Sequence, residues 1–182
     1  MKSGTASQML RKAAITGLAM VLGLSSAHAA DGLLEYEVKA VFLLNFTKFI
    51  EWPAAAFELP DSPITICVLG EDPFGATLDQ VVNGEIVNGR KVAVQRIKRP
   101  PAPKSCQILF WGKSDSAAAK GLPALGPVLT VGEGESFAHD GGMIAFVIDN
   151  RRVRFQVNQT LAENAGLKLS SKLLSVARSV ER

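Results

Sequence analysis

The chain has little of what most catalytic and metal sites require. Its 182 residues include only two histidines and two cysteines. One of the histidines, His28, precedes a predicted cleavage site, which leaves His139 in the mature chain. Neither an H-E-x-x-H nor a G-x-S-x-G sequence occurs, so a zinc site or a serine triad has no recognisable residues to use. We therefore predict that the protein is not an enzyme and holds no metal and no cofactor.

The sequence also lacks an apolar run long enough to cross a bilayer. Ala13–Leu24 is mostly apolar, but it falls short of the roughly 20 residues that a membrane helix needs. It follows three basic residues and precedes Ala27-His28-Ala29, which together are the pattern of a secretory signal peptide. We predict cleavage after Ala29, so that residues 30–182 form a single exported domain with no direct membrane insertion.

An excess of one charge is missing as well. The whole chain has 20 Lys and Arg against 17 Asp and Glu, but residues 1–29 hold three of the basic residues and none of the acidic ones. Removing this segment leaves 17 of each sign. A balanced chain of this kind indicates no binding to nucleic acid or to an anionic membrane surface.

Hydrophobic periodicity predicts alternating helices and strands. Glu35–Ile50 is predicted to be the first helix, ended by Trp52-Pro53 because the residue before proline disfavours helical geometry. Strands are predicted at Ile64–Leu69, Lys91–Ile97, Gln107–Trp111 and Val128–Val131, with helices at Phe74–Val82 and Ser114–Leu125. This order favours an α/β fold, a single-domain mixed β-sheet with helices packed on both faces.

A β-hairpin and a final helix are predicted near the C-terminus. Met143–Ile148 is unbroken and apolar, as in a strand covered on both faces, whereas Val153–Asn158 alternates between apolar and polar residues. Asp149-Asn150 favours a turn between the two strands. Leucines at spacings of three and four follow, and Ser170 or Ser171 can cap the start of that helix.

The tip of this hairpin is the predicted partner-binding surface. The tip comprises Asp149, Asn150, Arg151 and Arg152, and Arg154 lies on the polar face of the second strand. Three arginines within four residues exceed what solubility needs, and a guanidinium can bind a carboxylate through two hydrogen bonds. The alternative is that Arg154 pairs with an acidic neighbour on its own sheet.

Asn45 lies inside the apolar stripe of the first predicted helix. Such an amide usually bonds a neighbouring backbone group, and we favour that interpretation. The alternative is a small-molecule pocket between this helix and the sheet, contacted by Asn45 and Trp52.

Two glycine- and acid-rich fragments favour ordinary turns over binding sites. Gly132-x-Gly134 is half of a dinucleotide-binding fingerprint, but Phe137 stands where the third glycine is required. The second fragment contains Glu133, Glu135, His139 and Asp140. These side chains can hold a divalent ion only if they cluster on one loop, and we favour a solvated acidic loop instead.

Cys67 falls inside the first predicted strand and Cys106 at the start of the third. An exported chain with two cysteines and no C-x-x-C sequence favours one disulfide bond. Two buried free thiols are the alternative.

The closing segment resembles the signature of the YfiR family of small bacterial periplasmic proteins. The resemblance rests first on Arg154–Asn158 and Ala165–Leu174, and then covers nearly all of the mature chain. The other matching segments are Glu37–Phe42, Asn45–Pro53, Ile66–Gly70, Asp72–Gly75, Gly89-Arg90, Cys106–Phe110, Leu129–Gly132 and Gly141–Ile144.

The resemblance implies a regulatory function. Proteins of this family bind the periplasmic sensor domain of an inner-membrane diguanylate cyclase and hold cyclic-di-GMP synthesis down, which links them to biofilm control. An outer-membrane lipoprotein can sequester them, and homodimers are associated with the family. The resemblance also places Cys67 and Cys106 on one of the family's disulfide pairs, while the second pair is absent. We therefore expect a periplasmic inhibitor of a diguanylate cyclase, with a periplasmic small-molecule-binding module as the alternative.

Overall fold

The computed structural model describes residues 24–102, 104–112 and 125–182 of the chain. By its internal contacts the chain divides into two units, residues 1–35 and 36–182. Among the described residues, the first unit contains the start of helix α1, which spans Leu24–Phe49. The predicted signal peptide, residues 1–29, falls largely outside the described residues, and cleavage after Ala29 stays a prediction.

The second unit is built from short helices and strands. After α1, the described helices are α2 (Ala76–Val82), α3 (Glu135–His139), α4 (Gln159–Asn164) and α5 (Ser171–Val176), with a 3-10 turn at Ala54–Ala56. The described strands are β1 (Ile50–Glu51), β2 (Ile64–Leu69), β3 (Ile86–Val87), β4 (Arg90–Ile97), β5 (Ile108–Trp111), β6 (Leu129–Glu133), β7 (Ile144–Asp149), β8 (Arg152–Asn158), β9 (Lys168–Leu169) and β10 (Ser179–Glu181).

Eight of these strands form one mixed sheet in the order β10-β8-β7-β6-β5-β2-β4-β3. The central strands β4, β2, β5, β6 and β7 run parallel to one another. Strands β7 and β8 form the predicted antiparallel hairpin, and β10 lies parallel to β8 at the edge. The sheet therefore places the hairpin and the C-terminal strand at one end.

Helices cover both faces of this sheet. On one face α1 buries Phe46, whose ring centroid lies 5.9 Å from that of Phe146 and 5.3 Å from that of Phe155. On the other face Phe137 of α3 packs into a smaller apolar core that contains Cys67. The central strands carry apolar residues on both sides, which is why each face needs a covering layer. The predicted mixed α/β fold with helices on both faces is confirmed.

Phe137 explains the glycine-rich sequence before α3. Its ring packs flat against the backbone of Gly132 and Gly142, where a Cβ atom on either glycine would collide with the ring. Gly134 precedes α3 with φ of 87°, a conformation that L side chains rarely adopt. These glycines make room for a buried aromatic ring. The turn predicted at Gly132–Gly134 is wrong for Gly132, which belongs to β6 and pairs with Ala145.

The shortest elements differ from the prediction. The first helix is predicted to extend through Ile50, which is wrong because Ile50 pairs with Leu169 in a separate two-stranded sheet of β1 and β9. Strand β10 has no counterpart in the prediction. Strands of two or three residues carry no readable periodicity, so only their pairing partners define them. The predicted helix Ser114–Leu125 lies outside the described residues, except for Leu125.

Candidate partner-binding surface

The β7–β8 hairpin ends in a two-residue turn with a fixed shape. Asp149 pairs with Arg152 in the strand register, and the two residues between them, Asn150 and Arg151, have φ of 48° and 61°. Positive φ at both central positions is the geometry of the type I′ turn, whose twist matches that of the flanking strands. The side chains of Arg151 and Arg152 are exposed. The hairpin therefore presents two guanidinium groups from a well-defined backbone.

Asp149 at this tip already has a partner within the chain. Its carboxylate oxygen Oδ2 lies 3.6 Å from Nε of Arg178, and Nη1 of Arg178 lies 2.6 Å from Oε1 of Glu135. These contacts, the one with Glu135 first, raise the pKa of the Arg178 guanidinium. Arg178 also donates its backbone N–H to the carbonyl of Phe155 at 2.8 Å. Asp149 thus fixes the tip to the C-terminal segment.

Arg154 points to a helix end and not to an acidic neighbour. Its Nη2 atom lies 3.5 Å from the carbonyl oxygen of Val176, the last residue of α5. A cation is favourable at the C-terminal end of a helix because the unsatisfied carbonyls there carry partial negative charge. The contact joins the polar face of β8 to α5.

Asn45 lines a small apolar cavity of about 200 Å³ between α1, β8 and α5. Among the described residues, none hydrogen-bonds its side-chain amide, so the favoured bond to neighbouring backbone is not formed. Phe42, Phe49 and Phe155 form much of the wall, and Lys172 lies at the same cavity.

Trp52 lines a different and larger cavity, of about 360 Å³. Its indole N–H donates to the carbonyl of Gln107 at 3.0 Å, which orients the ring. Glu51, Phe57 and Arg90 also line this cavity. The structure does not bring Asn45 and Trp52 together, so they do not share the single pocket that the sequence offered as an alternative.

Cys67 and Cys106 are bonded to each other, as predicted. Their Cα atoms lie 5.9 Å apart, and both side chains are buried. Cys67 belongs to β2, and Cys106 precedes the parallel neighbour β5. The bond therefore links two adjacent parallel segments beneath the second face of the sheet.

The acidic residues around α3 point in different directions. Glu133 forms a salt bridge with Lys39 of α1 and accepts a hydrogen bond from the Tyr36 hydroxyl at 3.4 Å, whereas Glu135 pairs with Arg178. In the described part of the chain, no group of three or more His, Cys, Asp or Glu side chains is placed to hold a metal ion. The Lys39–Glu133 pair could not be read from the sequence because 94 residues separate its partners.

Arg96 of β4 binds two carboxylates at the opposite end of the sheet. Its Nε lies 2.9 Å from Asp72, and its Nη1 and Nη2 lie 2.7 Å and 2.6 Å from the two oxygens of Asp79. This hydrogen-bonded guanidinium holds the pKa of the Asp79 carboxyl below its usual range. These hydrogen bonds link α2 and the loop before it to β4.

The depressed pKa of Asp79 gives a pH dependence with a definite sign. The stabilisation is fully present above the unfolded pKa of about 4 and is lost as pH falls through the lower folded pKa. Because both side chains are more than a third exposed, we expect Asp79→Asn to cost at most about 1 kcal/mol at pH 7 and less than that at pH 2. Urea titrations at both pH values measure this, with Asp61→Asn on the exposed loop before β2 as the matched control. An equal loss at both pH values would contradict the ion-pair origin.

Together these features define a small α/β protein with an arginine-bearing hairpin, a buried disulfide and the separate cavities beside Asn45 and Trp52. A sequence profile of the YfiR/HmsC-like family matches residues 36–178, and the chain belongs to that family. A search among curated proteins finds no match. Within the described residues, no helix is both long and apolar enough to span a membrane.

Two solved structures align with 64% of the chain at 12% identity. One is the ABC domain in complex with L-Trp from Streptococcus pneumoniae, with a TM-score of 0.44. The other is a conserved domain protein from Vibrio cholerae O1 biovar El Tor, with a TM-score of 0.45. The alignments cover 55% and 54% of those chains, so this chain spans about half of their length.

Proposed function

We propose that the protein is a periplasmic, non-enzymatic regulator that binds the periplasmic sensor domain of an inner-membrane diguanylate cyclase and lowers cyclic-di-GMP synthesis. Membership of the YfiR/HmsC-like family supports the regulatory class. The Cys67–Cys106 disulfide supports an oxidising compartment, because such bonds rarely persist in the cytosol. Capture by an outer-membrane lipoprotein and assembly into a homodimer belong to the same proposal.

The observation that carries the proposed docking surface is the type I′ turn at the hairpin tip. The turn defines the backbone at Arg151 and Arg152, and Asp149 contacts Arg178 of the C-terminal segment at 3.6 Å. Binding therefore costs little additional backbone ordering. Guanidinium groups held in this way suit carboxylates on a partner, where charge-assisted hydrogen bonds fix register and accelerate association.

Reversing both charges at the tip should weaken binding without unfolding the protein. We expect Arg151→Glu with Arg152→Glu to raise the Kd for the cyclase's periplasmic domain at least tenfold, or about 1.4 kcal/mol. Stability should change by less than about 0.5 kcal/mol, because both side chains are exposed. Isothermal titration calorimetry measures the Kd, and thermal unfolding checks the fold.

The matched control is Lys91→Glu with Lys98→Glu, which changes the net charge equally at the other end of the sheet. Both lysines are exposed, Lys91 on β4 and Lys98 directly after it. If this control weakens binding as much as the tip variant does, the effect comes from overall charge and not from the hairpin. An unchanged Kd for the cyclase domain in a folded tip variant would show that the interface lies elsewhere.

A small-molecule-binding module is the second candidate, and the larger cavity favours it. Its volume of about 360 Å³ lies at the lower end of the usual range for ligand pockets, and it combines Trp52 and Phe57 with the charged residues Glu51 and Arg90. Native mass spectrometry of protein purified without added ligand would detect a retained molecule. A bound mass that disappears in Trp52→Ala supports this candidate, and a bare protein mass argues against it.

A further inference from the structure

The smaller cavity opens onto an exposed apolar surface. We call it the α1–α5 groove, defined by Phe42, Asn45 and Phe49 of α1, Phe155 of β8, and Lys172 and Val176 of α5. Val176 is 56% exposed and Phe49 is 37% exposed, although both border a buried core. Val38 and Val41 continue the exposed apolar face along α1. A contiguous apolar patch of this kind is typical of a binding surface.

The size of the groove indicates what fills it. About 200 Å³ is less than the roughly 300 Å³ at which pockets for drug-sized molecules begin. It suits one large side chain, of the kind that anchors a protein interface by entering a pocket in its partner. The groove therefore fits a protein segment better than a free small molecule.

The charge at the groove indicates which charge its occupant carries. Lys172 is exposed at the groove, and it is the charged residue among those described that line the cavity. None of the described residues that line the cavity is acidic. A segment that places an apolar side chain in the groove would meet the Lys172 ammonium, so an acidic neighbour is favoured and a basic one is repelled.

We propose that the α1–α5 groove docks an apolar–acidic segment of the partner protein. An aromatic or branched side chain enters the cavity, and an adjacent Asp or Glu residue pairs with Lys172. The Asn45 amide, which no described residue engages, is available to hydrogen-bond the backbone of that segment. The inference rests on the proposed regulatory function, and Arg154 connects the groove to the hairpin.

Binding of the purified cyclase periplasmic domain tests the groove. Val176→Asp should raise the Kd at least tenfold, whereas Ile86→Asp, at an equally exposed apolar residue on β3, should leave it unchanged. Lys172→Glu should also weaken binding, and Lys172→Arg should retain it. Both sites are exposed, so the variants should fold, as checked by circular dichroism.

A photo-crosslinker at position 176 identifies the occupant directly. The proposal predicts that the linked partner peptide contains a large apolar residue within a few positions of Asp or Glu. Changing that acidic residue to Lys should restore binding to the Lys172→Glu variant. A linked peptide from a second copy of this chain, a peptide without acidic residues, or no adduct would overturn the proposal.

The groove inference and the proposed cyclase partner can be disproved independently of each other. If the cyclase domain binds the wild type and Val176→Asp equally well, the groove inference fails and the proposed function stands. If the linked apolar–acidic peptide and its charge-swap rescue come from a different protein, the groove inference stands and the cyclase role fails.

Discussion

Lys39→Met should lower the free energy of unfolding by about 3–5 kcal/mol, the usual cost of removing one partner of a buried ion pair. Lys39 is buried, and the Glu133 side chain that it pairs with is only 18% exposed. The Lys39 ammonium also lies 4.4 Å from the centroid of the Tyr36 ring, a favourable cation–π distance. Losing the cation leaves the Glu133 carboxylate poorly hydrated without its counter-charge.

Removing both charges should be much less harmful than removing one. Lys39→Met with Glu133→Leu leaves no uncompensated charge, and replacing a buried pair by apolar residues is often close to neutral. Lys48→Met is the matched control, because Lys48 lies on the same helix and forms an exposed pair with Glu85 at 3.0 Å. That variant should cost about 1 kcal/mol at most. Urea unfolding followed by circular dichroism compares all three, and equal losses for Lys39→Met and Lys48→Met would contradict the prediction.

Cys67→Ala with Cys106→Ala should lower stability by about 2–5 kcal/mol. The bond closes a loop with a sequence separation of 39, for which the chain-entropy relation gives about 4 kcal/mol. The loss acts on the unfolded chain, which gains conformational freedom once the link is gone. Chemical unfolding of the double variant and of the wild type, under non-reducing conditions, measures the difference.

Two further measurements separate the bond from packing. Wild-type protein that is unfolded and refolded with excess reductant should match the double variant in stability. Peptide mapping without reductant should recover a Cys67–Cys106 linked peptide from protein isolated from an oxidising compartment. Two free thiols in that material would contradict both the bond and the stability prediction.

The longer elements were predictable because the order of apolar and polar residues within each one indicates which side chains are buried. Strand β2 has the predicted bounds, Ile64–Leu69. Strand β7 is shifted by one residue from the prediction, and β8 begins one residue early and ends as predicted. Ser170 caps α5 by accepting a hydrogen bond from the backbone N–H of Leu173 at 3.2 Å, as one of the two predicted caps. Periodicity and capping act within a few residues, so a single sequence contains them.

The candidate surface was predictable only in part. The sequence pointed to Arg151, Arg152 and Arg154, which the structure places on one hairpin. It did not reveal that Arg178 holds Asp149, because that contact requires β10 to lie beside β8. A strand of three residues is too short to show alternating apolar and polar side chains, so it cannot be recognised from the sequence.

By itself, the sequence determined the fold class, the apolar strands, the hairpin with its arginines and the cysteine pair. Each follows from local residue chemistry or, for the cysteines, from the fact that two cysteines allow only one pairing. Only the tertiary structure decided that Asn45 and Trp52 line different cavities and that Lys39 of α1 meets Glu133 at the end of β6. These arrangements depend on how α1 lies against strands far away in the chain. Packing between distant segments produces no periodic pattern in the sequence of either segment.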